Sequence, residues 1–205
     1  MKLYVRFFKR HIDIFFSLIL LVLFTPFMLV IIFFQVLFYG KNIFYIDKRS
    51  GLNSKDFNLI KFRTMRDTLD IQGRRLSDNL RLTFAGKILR YLSLDELPNL
   101  LNVLVGHMSI IGPRPLPNRY LDSMSYNQSR RYLVRPGMTG LAQIRGRNKI
   151  TWLEIIAYDL EYVTKISFLL DLKILIKTPK NLFSRKANQD LGDQSIDNYN
   201  PNFDQ

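Results

Sequence analysis

Two adjacent acidic residues interrupt a strongly basic chain. The 205 residues carry 30 Lys and Arg against 17 Asp and Glu, yet Asp95 and Glu96 lie side by side in the stretch SLDELPNLLNV (93–103). Two neighbouring carboxylates repel each other unless a positive charge lies beside them. The pair therefore predicts a place where a cation is held, either a basic side chain or a metal ion.

Phosphate chemistry is the use that best suits such a pair. Mg²⁺ prefers oxygen ligands combined with the phosphates of a substrate. An aspartate carboxylate is also a nucleophile that forms a covalent acyl phosphate. We therefore predict Asp95 and Glu96 as catalytic residues and metal ligands, with nearby cations binding the phosphates; these cations are Lys61, Arg63 and Arg90.

The same acids also have a purely structural interpretation as helix caps. Acids in a first helical turn are favoured by the helix dipole, and Ser93 with Glu96 has the spacing of a capping box. Pro98 fits better if Asp95 is the cap, because the third helical position needs no N–H. From these residues alone, capping and catalysis both remain open.

Two stretches rich in proline and glycine contribute further arginines. IIGPRPLP (110–117) sets Arg114 between prolines, which restrict the backbone around it. RPGMTGLAQIRGRN (135–148) holds Arg135, Arg145 and Arg147 among glycines, a pattern typical of oxyanion-binding loops. We predict that Arg114, Arg135 and Arg147 bind phosphate or nucleotide; a surface turn and a solvated basic loop are the structural alternatives.

Composition excludes several classes of protein. The chain has no cysteine, which removes disulfides, thiolate nucleophiles and Cys-based metal sites. It has no GxxxxGK[ST], GxGxxG or DxD motif, which disfavours P-loop and Rossmann enzymes. A net charge of +13 indicates anionic partners, which include nucleic acid, an anionic membrane surface and phosphorylated small molecules.

The first forty residues contain a membrane signal. Positions 14–40 are 27 consecutive residues without a charge or a histidine, about 40 Å of helix against a hydrocarbon core of about 30 Å. Thr25 and Pro26 near the middle predict a bend, which leaves two legs too short to cross alone. Both flanks are basic, so a bent crossing helix and a re-entrant helix both remain open.

Hydrophobic periodicity predicts the remaining elements. They are a β-hairpin (43–48 and 56–62) and four helices (84–92, 97–104, 152–163 and 168–178). Gly106 and Pro179 are predicted to end the second and the fourth helix, and Thr151 with Glu154 forms a capping box for the third. The stretches 67–80 and 112–148 are predicted loops, and the polar tail 184–205 is predicted to be disordered.

Five motifs taken together resemble the bacterial sugar transferase family. They are KRHID, KFRTM, LSLDELPNLLNVLVGHMSIIGPRPL, RPGMTGLAQIRGRN and LDLKIL, in order between about residue 6 and residue 180. The pattern is similar to the small monotopic polyprenyl-phosphate phosphoglycosyl transferases, and most similar to the diacetylbacillosamine-1-phosphate transferase. The chain resembles the minimal form of the family, without a long N-terminal membrane domain.

The resemblance implies a mostly helical α+β fold at the cytoplasmic face of the bacterial inner membrane. A re-entrant membrane helix (1–40) would precede a catalytic domain (41–183) with a small β-hairpin and amphipathic interfacial helices, followed by the tail (184–205). The implied partners are a UDP-sugar, undecaprenyl phosphate and the membrane, without nucleic acid. The implied cofactor is Mg²⁺.

The resemblance also implies a two-step reaction that begins a glycan. Asp95 would attack the β-phosphate of the UDP-sugar and release UMP, and undecaprenyl phosphate would then take the phosphosugar. Glu96 would help to place Mg²⁺ or the lipid phosphate. Lys61 and Arg90 would contact the phosphates, and Arg114 the nucleotide.

Two positions depart from the family pattern. Thr25 replaces a serine before the membrane proline, and its hydroxyl is also able to bond an upstream carbonyl. Arg145 stands where a small or amide residue is expected, so the identity of the sugar stays open. The glycan pathway and the oligomeric state also stay open. The competing hypothesis is a membrane-anchored basic module that binds polyanions or anionic lipid without catalysis.

Overall fold

A computed structural model describes residues 3–70, 72–74, 76–146 and 150–182. It begins with a π-helical turn (Tyr4–Phe8) that leads directly into α1 (Lys9–Tyr39). Among the described residues, α1 is the one helix long and apolar enough to cross a membrane. Thr25 Oγ1 donates to the carbonyl oxygen of Leu21, which is the upstream hydrogen bond expected beside Pro26.

The rest of the described chain consists of short helices and two small sheets. The antiparallel hairpin of β1 (Phe44–Ser50) and β2 (Asp56–Phe62) confirms the predicted hairpin. The other elements are α2 (Asp78–Arg81), α3 (Phe84–Tyr91), α4 (Asn99–Val105), β3 (Ser109–Ile111), α5 (Tyr126–Ser129), β4 (Gly137–Thr139), α6 (Leu141–Arg145), α7 (Trp152–Lys165) and α8 (Phe168–Leu182). The predicted class, α+β and mostly helical, is confirmed.

Three details of the prediction are wrong. The stretch 112–148 was predicted as loop, but it contains α5, α6 and β4, and β4 pairs in parallel with β3. Three-residue strands are too short to show a period, and parallel pairing joins segments far apart in sequence. The stretch 67–80 was also predicted as loop, but the short helix α2 begins inside it at Asp78. Helix α8 continues past Pro179, which lies in its last turn.

Two apolar clusters form the core of the described chain. The larger cluster joins β2, β3, α4, α7 and α8 through ten buried side chains, among them Phe57, Val103 and Tyr162. The smaller one, here called the α1 core, consists of Phe62, Leu89, Leu97 and Leu100. One face of α1 covers the α1 core with Leu20, Leu21, Phe24, Met28, Ile31 and Ile32.

Polar contacts fasten the N-terminal end of α1 to the body of the protein. Lys9 Nζ forms a buried ion pair of 2.6 Å with Asp171 Oδ2 of α8. Asp13 Oδ1 accepts hydrogen bonds from Ser109 Oγ and from the backbone N–H of Ile110, both 3.0 Å long. Helix α1 therefore begins in contact with β3 and α8.

The C-terminal end of α1 is fastened to the same body. Gln35 Nε2 donates to the carbonyl oxygen of Arg63 at 2.8 Å, just after β2. The hydroxyls of Tyr39 and Thr83 share a hydrogen bond of 2.6 Å, at the start of α3. Both ends of α1, and the face between them, thus contact the packed elements of the rest of the described chain. The division of the chain at residues 40 and 183 stays a prediction, and the tail 184–205 lies outside the described residues.

Candidate active site

The two acids lie in a tight turn between α3 and α4. Residues Leu94–Glu96 form a single 3₁₀ turn, entered through Ser93, whose φ of 56° lies in the left-handed region. Helix α4 begins only at Asn99, after Pro98, so the prediction that Asp95 caps this helix is wrong. The turn ends before Pro98, which has no N–H to continue a hydrogen-bonded ladder.

Apolar packing explains the position of this turn. Leu97 and Leu100 follow the acids and are buried in the α1 core, where α1 covers them. Asn99 Oδ1 accepts the backbone N–H of Ile60 and thereby attaches the start of α4 to β2. The leucines and Asn99 thus fix the backbone just after the dyad, the pair of Asp95 and Glu96, against two different elements.

Three cations, from β2, α3 and the loop that follows β3, surround the dyad. Lys61 of β2 places its Nζ 2.6 Å from Glu96 Oε1, and Arg114 places its Nη2 3.5 Å from the same oxygen. Arg90 of α3 donates from Nε to Thr64 Oγ1 at 3.0 Å. Lys61, Arg90 and Arg114 all act electrostatically on Asp95. The structure therefore brings together five of the residues predicted for the site.

Asp95 differs sharply from its neighbour. Its side chain is buried with 7% of its surface exposed, and within the described part of the chain no donor is found hydrogen-bonded to its carboxylate. Burial raises the pKa of Asp95, and the charge of Glu96 raises it further, whereas Lys61 and the two arginines pull it down. Asp95 is thus a carboxylate with free oxygens among positive charges.

The remaining predicted residues lie elsewhere or outside the described residues. Arg63 contacts Asp67 just beyond β2. Arg135 donates from Nε to the carbonyl oxygen of Gly106, 2.8 Å away and at the opposite end of α4 from the dyad. Arg147 lies outside the described residues. The phosphate-binding roles of these three arginines stay predictions.

Sequence reasoning overlooked two residues that hold the site together. Thr64 is buried and anchors the Arg90 guanidinium through its hydroxyl. Arg131 is buried and donates to the backbone carbonyl of Arg114 at 2.7 Å. Thr64 belongs to the motif KFRTM, so its place beside Lys61 was a usable signal. Nothing in the sequence pointed to Arg131, because its partners are distant along the chain.

The donor set suits a magnesium ion that arrives with phosphates. Among the described residues, no group of three or more His, Asp or Glu side chains is placed to hold a metal ion. Mg²⁺ is commonly bound by one or two protein carboxylates together with substrate phosphates and water. Asp95, whose oxygens are free, and Glu96, which already attracts two cations, provide that kind of partial set.

Comparison with known proteins gives a matching family and several relatives. The family model described as bacterial sugar transferase matches residues 4–185. The chain is 50% identical over 143 residues to the uncharacterized sugar transferase EpsL of Bacillus subtilis, a match that covers 70% of this chain and 71% of that protein.

Two further relatives have names that state a reaction. The chain is 37% identical over 187 residues to the UDP-glucose:undecaprenyl-phosphate glucose-1-phosphate transferase of Caulobacter vibrioides, covering 86% of this chain and 70% of that protein. It is 36% identical over 202 residues to the undecaprenyl-phosphate galactose phosphotransferase of Salmonella typhimurium, covering 88% of this chain but only 41% of that protein. The predicted closeness to the diacetylbacillosamine-1-phosphate transferase stays a prediction.

Proposed function

Because the chain belongs to the bacterial sugar transferase family, we propose that it transfers a sugar 1-phosphate from a UDP-sugar to undecaprenyl phosphate and releases UMP. This would be the first membrane step in assembling a glycan. Relatives named for the transfer of glucose 1-phosphate and for a galactose phosphotransferase support the general reaction. The observation that carries the mechanism is Asp95, a buried carboxylate that lacks donors among the described residues and is surrounded by three cations.

Asp95 is the proposed nucleophile in two displacements at one phosphorus atom. In the first, its carboxylate oxygen bonds to the β-phosphorus, the bond from that phosphorus to the bridging oxygen breaks, and UMP leaves with the electron pair. In the second, a phosphate oxygen of undecaprenyl phosphate attacks the same phosphorus and frees the carboxylate. The product is an undecaprenyl diphosphate sugar, and the intermediate is an acyl phosphate.

Lys61 and Arg114 provide the proposed binding site for the diphosphate. Both contact Glu96 Oε1, so Glu96 keeps the two cations near the dyad before substrate arrives. Arg114 is half exposed, which leaves its guanidinium accessible to a ligand. Phosphoryl transfer depends mainly on positioning and charge stabilisation, and these side chains provide both.

Mg²⁺ is the proposed cofactor, and Asp95 and Glu96 would hold it when the substrate phosphates are bound. When bound, the ion neutralises negative charge on the phosphates. Glu96 is well placed to help here, because substrate phosphates compete with it for Lys61 and Arg114 and thereby release its oxygens.

A re-entrant path for α1, with both ends on one side of the membrane, is supported by its contacts. The N-terminal end is tied to Asp171 and Ser109, and the C-terminal end to Arg63 and Thr83, all in one domain. The middle of α1 packs against the α1 core, which includes Leu97, next to the dyad. A full crossing would place the charged dyad, beside the middle of α1, at the depth of the hydrocarbon, where charges are costly.

Two other helices have faces suited to lying on the membrane surface. Helix α3 exposes Phe84 and Ile88, and α8 exposes Leu169, Leu172 and Ile176, which share one side of that helix. Amphipathic helices of this kind insert an apolar face among lipid headgroups. Together with the basic net charge, they support association with an anionic membrane, and the proposed location is the cytoplasmic face of the bacterial inner membrane.

Release of UMP from a panel of UDP-sugars tests this proposal. The purified protein in lipid or detergent would be given undecaprenyl phosphate, Mg²⁺ and one UDP-sugar at a time, including UDP-glucose, UDP-galactose and UDP-diacetylbacillosamine. We expect UMP from one or a few sugars, and none from the Asp95→Asn variant.

The competing hypothesis predicts a different outcome. A basic binding module would release no UMP from any sugar and would bind polyanions with a steep dependence on salt. Full activity in a folded Asp95→Asn variant would leave the reaction class intact but reject the covalent mechanism.

A further inference from the structure

Arg131 is a buried cation in contact with the backbone of Arg114, a residue of the proposed diphosphate site. It lies in a 3₁₀ turn (Arg130–Leu133), and only 1% of its side chain is exposed. Its partner is Asp159 of α7, exposed to the same small extent; the Nε and Nη2 atoms of Arg131 lie 3.1 and 2.5 Å from Asp159 Oδ2. Burying this charge without such a partner would carry a large desolvation cost.

The same guanidinium also hydrogen-bonds to the backbone of Arg114. Arg131 Nη2 donates to the carbonyl oxygen of Arg114 at 2.7 Å. The side chain of Arg114 leads from that peptide towards the dyad, where its own Nη2 lies 3.5 Å from Glu96 Oε1. Asp159, Arg131, Arg114 and Glu96 thus form one continuous series of polar contacts from α7 to the dyad.

Prolines make these carbonyl contacts more important than usual. Pro113 and Pro115 have no N–H, so the segment around Arg114 is fastened mainly through its oxygens. Four successive carbonyl oxygens, those of residues 113–116, accept hydrogen bonds from Gly137 N, Arg131 Nη2, Arg49 Nη1 and Ser50 N respectively. Of these donors, Arg131 is the one that holds the peptide carrying the guanidinium.

We propose that Arg131, fixed by Asp159, is a positioning residue that orients the Arg114 guanidinium towards the diphosphate of the UDP-sugar. This inference rests on the proposed function. A buried ion pair adds little net stability compared with apolar residues of similar volume, so stability alone is a poor reason for this pair. In addition, the Nη1 atom of Arg131 is buried without a hydrogen-bond partner among the described residues, which adds a further cost.

A double-mutant cycle tests whether Arg131 acts through Arg114. The Arg131→Lys variant keeps the charge beside Asp159 but loses the planar fork that reaches both partners. UMP release would give kcat and KM for the UDP-sugar in the single variants Arg131→Lys and Arg114→Ala and in the double variant. The Arg114→Ala change removes the guanidinium but keeps the carbonyl that Arg131 binds.

We expect Arg131→Lys alone to lower kcat/KM roughly 10- to 100-fold, the range that misplacement of a positioned group causes. In the Arg114→Ala background, the same change should lower kcat/KM by less than about twofold, because coupled residues are not additive. Arg130→Lys is the matched control, since Arg130 is the exposed neighbour on the same turn, and it should leave kcat/KM unchanged.

Three outcomes would overturn the proposal. An equal loss of kcat/KM in both backgrounds would make Arg131 a merely structural residue, as would unchanged activity in folded Arg131→Lys. If Arg131→Lys does not fold, Asp159→Glu displaces the guanidinium while keeping the ion pair, and the same cycle applies. A wild-type protein that releases no UMP would reject the proposed function itself, and this inference with it.

Discussion

Asp95 and Asp171 are both buried, but they differ in what surrounds their oxygens. Asp171 Oδ2 accepts from Lys9 Nζ at 2.6 Å and from Tyr4 OH at 2.7 Å, and its Oδ1 accepts from Tyr162 OH at 2.7 Å. Asp95 has no such donor within the described chain, although cations lie around it. The carboxylate of Asp171 is therefore fully hydrogen-bonded, whereas that of Asp95 has no hydrogen-bond donor among the described residues.

This difference suits a structural role for Asp171 and the proposed nucleophilic role for Asp95. An ionised carboxylate that is buried without hydrogen bonds opposes folding, so a site of this kind persists where its free oxygens have a use. Three donors occupy the lone pairs of Asp171 and join the start of α1 to α7 and α8. The lone pairs of Asp95 remain available to a phosphorus atom or a metal ion.

Asp95→Asn should have the largest effect on activity without lowering the stability of the fold. We expect UMP release to fall roughly 10³-fold or more, as for the loss of other catalytic nucleophiles. Stability should be unchanged or higher, because burial raises the pKa of Asp95 and its ionised form therefore opposes folding at neutral pH. Thermal unfolding in detergent checks this, and a clear drop in the midpoint would make Asp95 a structural acid.

Asp171→Asn should behave in the opposite way. Removing one partner of a buried ion pair leaves Lys9 buried without its hydrogen-bonded carboxylate, so the free energy of unfolding should fall by about 3 kcal/mol. Any folded fraction should release UMP at close to the wild-type rate per active molecule. Denaturant unfolding with active-site titration measures both quantities. A stable Asp171→Asn variant that releases no UMP would contradict the structural role of Asp171.

The pH dependence of the reaction should report the environment of Asp95. Because its pKa is raised and the ionised form attacks, kcat/KM should fall as the pH drops through that raised value. Lys61 lowers the pKa of Asp95, so Lys61→Gln should move this acid limb to higher pH. Lys55→Gln, exposed on the same hairpin, is the control that should leave the limb in place.

A shift of the acid limb to lower pH in Lys61→Gln, or no shift, would mean that a group other than Asp95 controls the reaction.

The smallest effect is expected at an exposed ion pair on α7. Lys165 Nζ lies 2.9 Å from Glu161 Oε1, one helical turn away, and most of the lysine is solvated. Lys165→Ala should lower the free energy of unfolding by only about 0.3–0.5 kcal/mol and leave UMP release unchanged. Chemical denaturation checks this, and a loss as large as that of Asp171→Asn would remove the distinction between buried and exposed pairs.

Local sequence patterns predicted much of the framework. The hairpin followed from two apolar segments around SGLN, and the Thr151–Glu154 capping box begins α7 as expected. Gly106 ends α4 with a φ of 91°, the conformation for which glycine is favoured. The dyad and Lys61 could be assigned together because an acid pair in a basic chain requires nearby cations.

Contacts between distant segments could not be predicted in this way. Arg135 lies in a glycine-rich stretch typical of oxyanion-binding loops, yet its side chain donates to the carbonyl oxygen of Gly106. Tertiary packing, and not the local sequence, determines this partner. The pairing of Arg131 with Asp159 also joins residues 28 positions apart, without a local signal. The dyad turn departs from simple capping because Leu97 and Leu100 must reach the α1 core.

The most direct test is a single-turnover reaction without the lipid acceptor. The protein would be mixed with the UDP-sugar that supports turnover, labelled in its β-phosphate, in the presence of Mg²⁺, and quenched for UMP analysis and peptide mapping. We predict a burst of up to about one UMP per active site, with the labelled phosphosugar on the peptide that contains Asp95. UMP that forms only when undecaprenyl phosphate is present, or label on another residue, would contradict the assignment of Asp95 as the nucleophile.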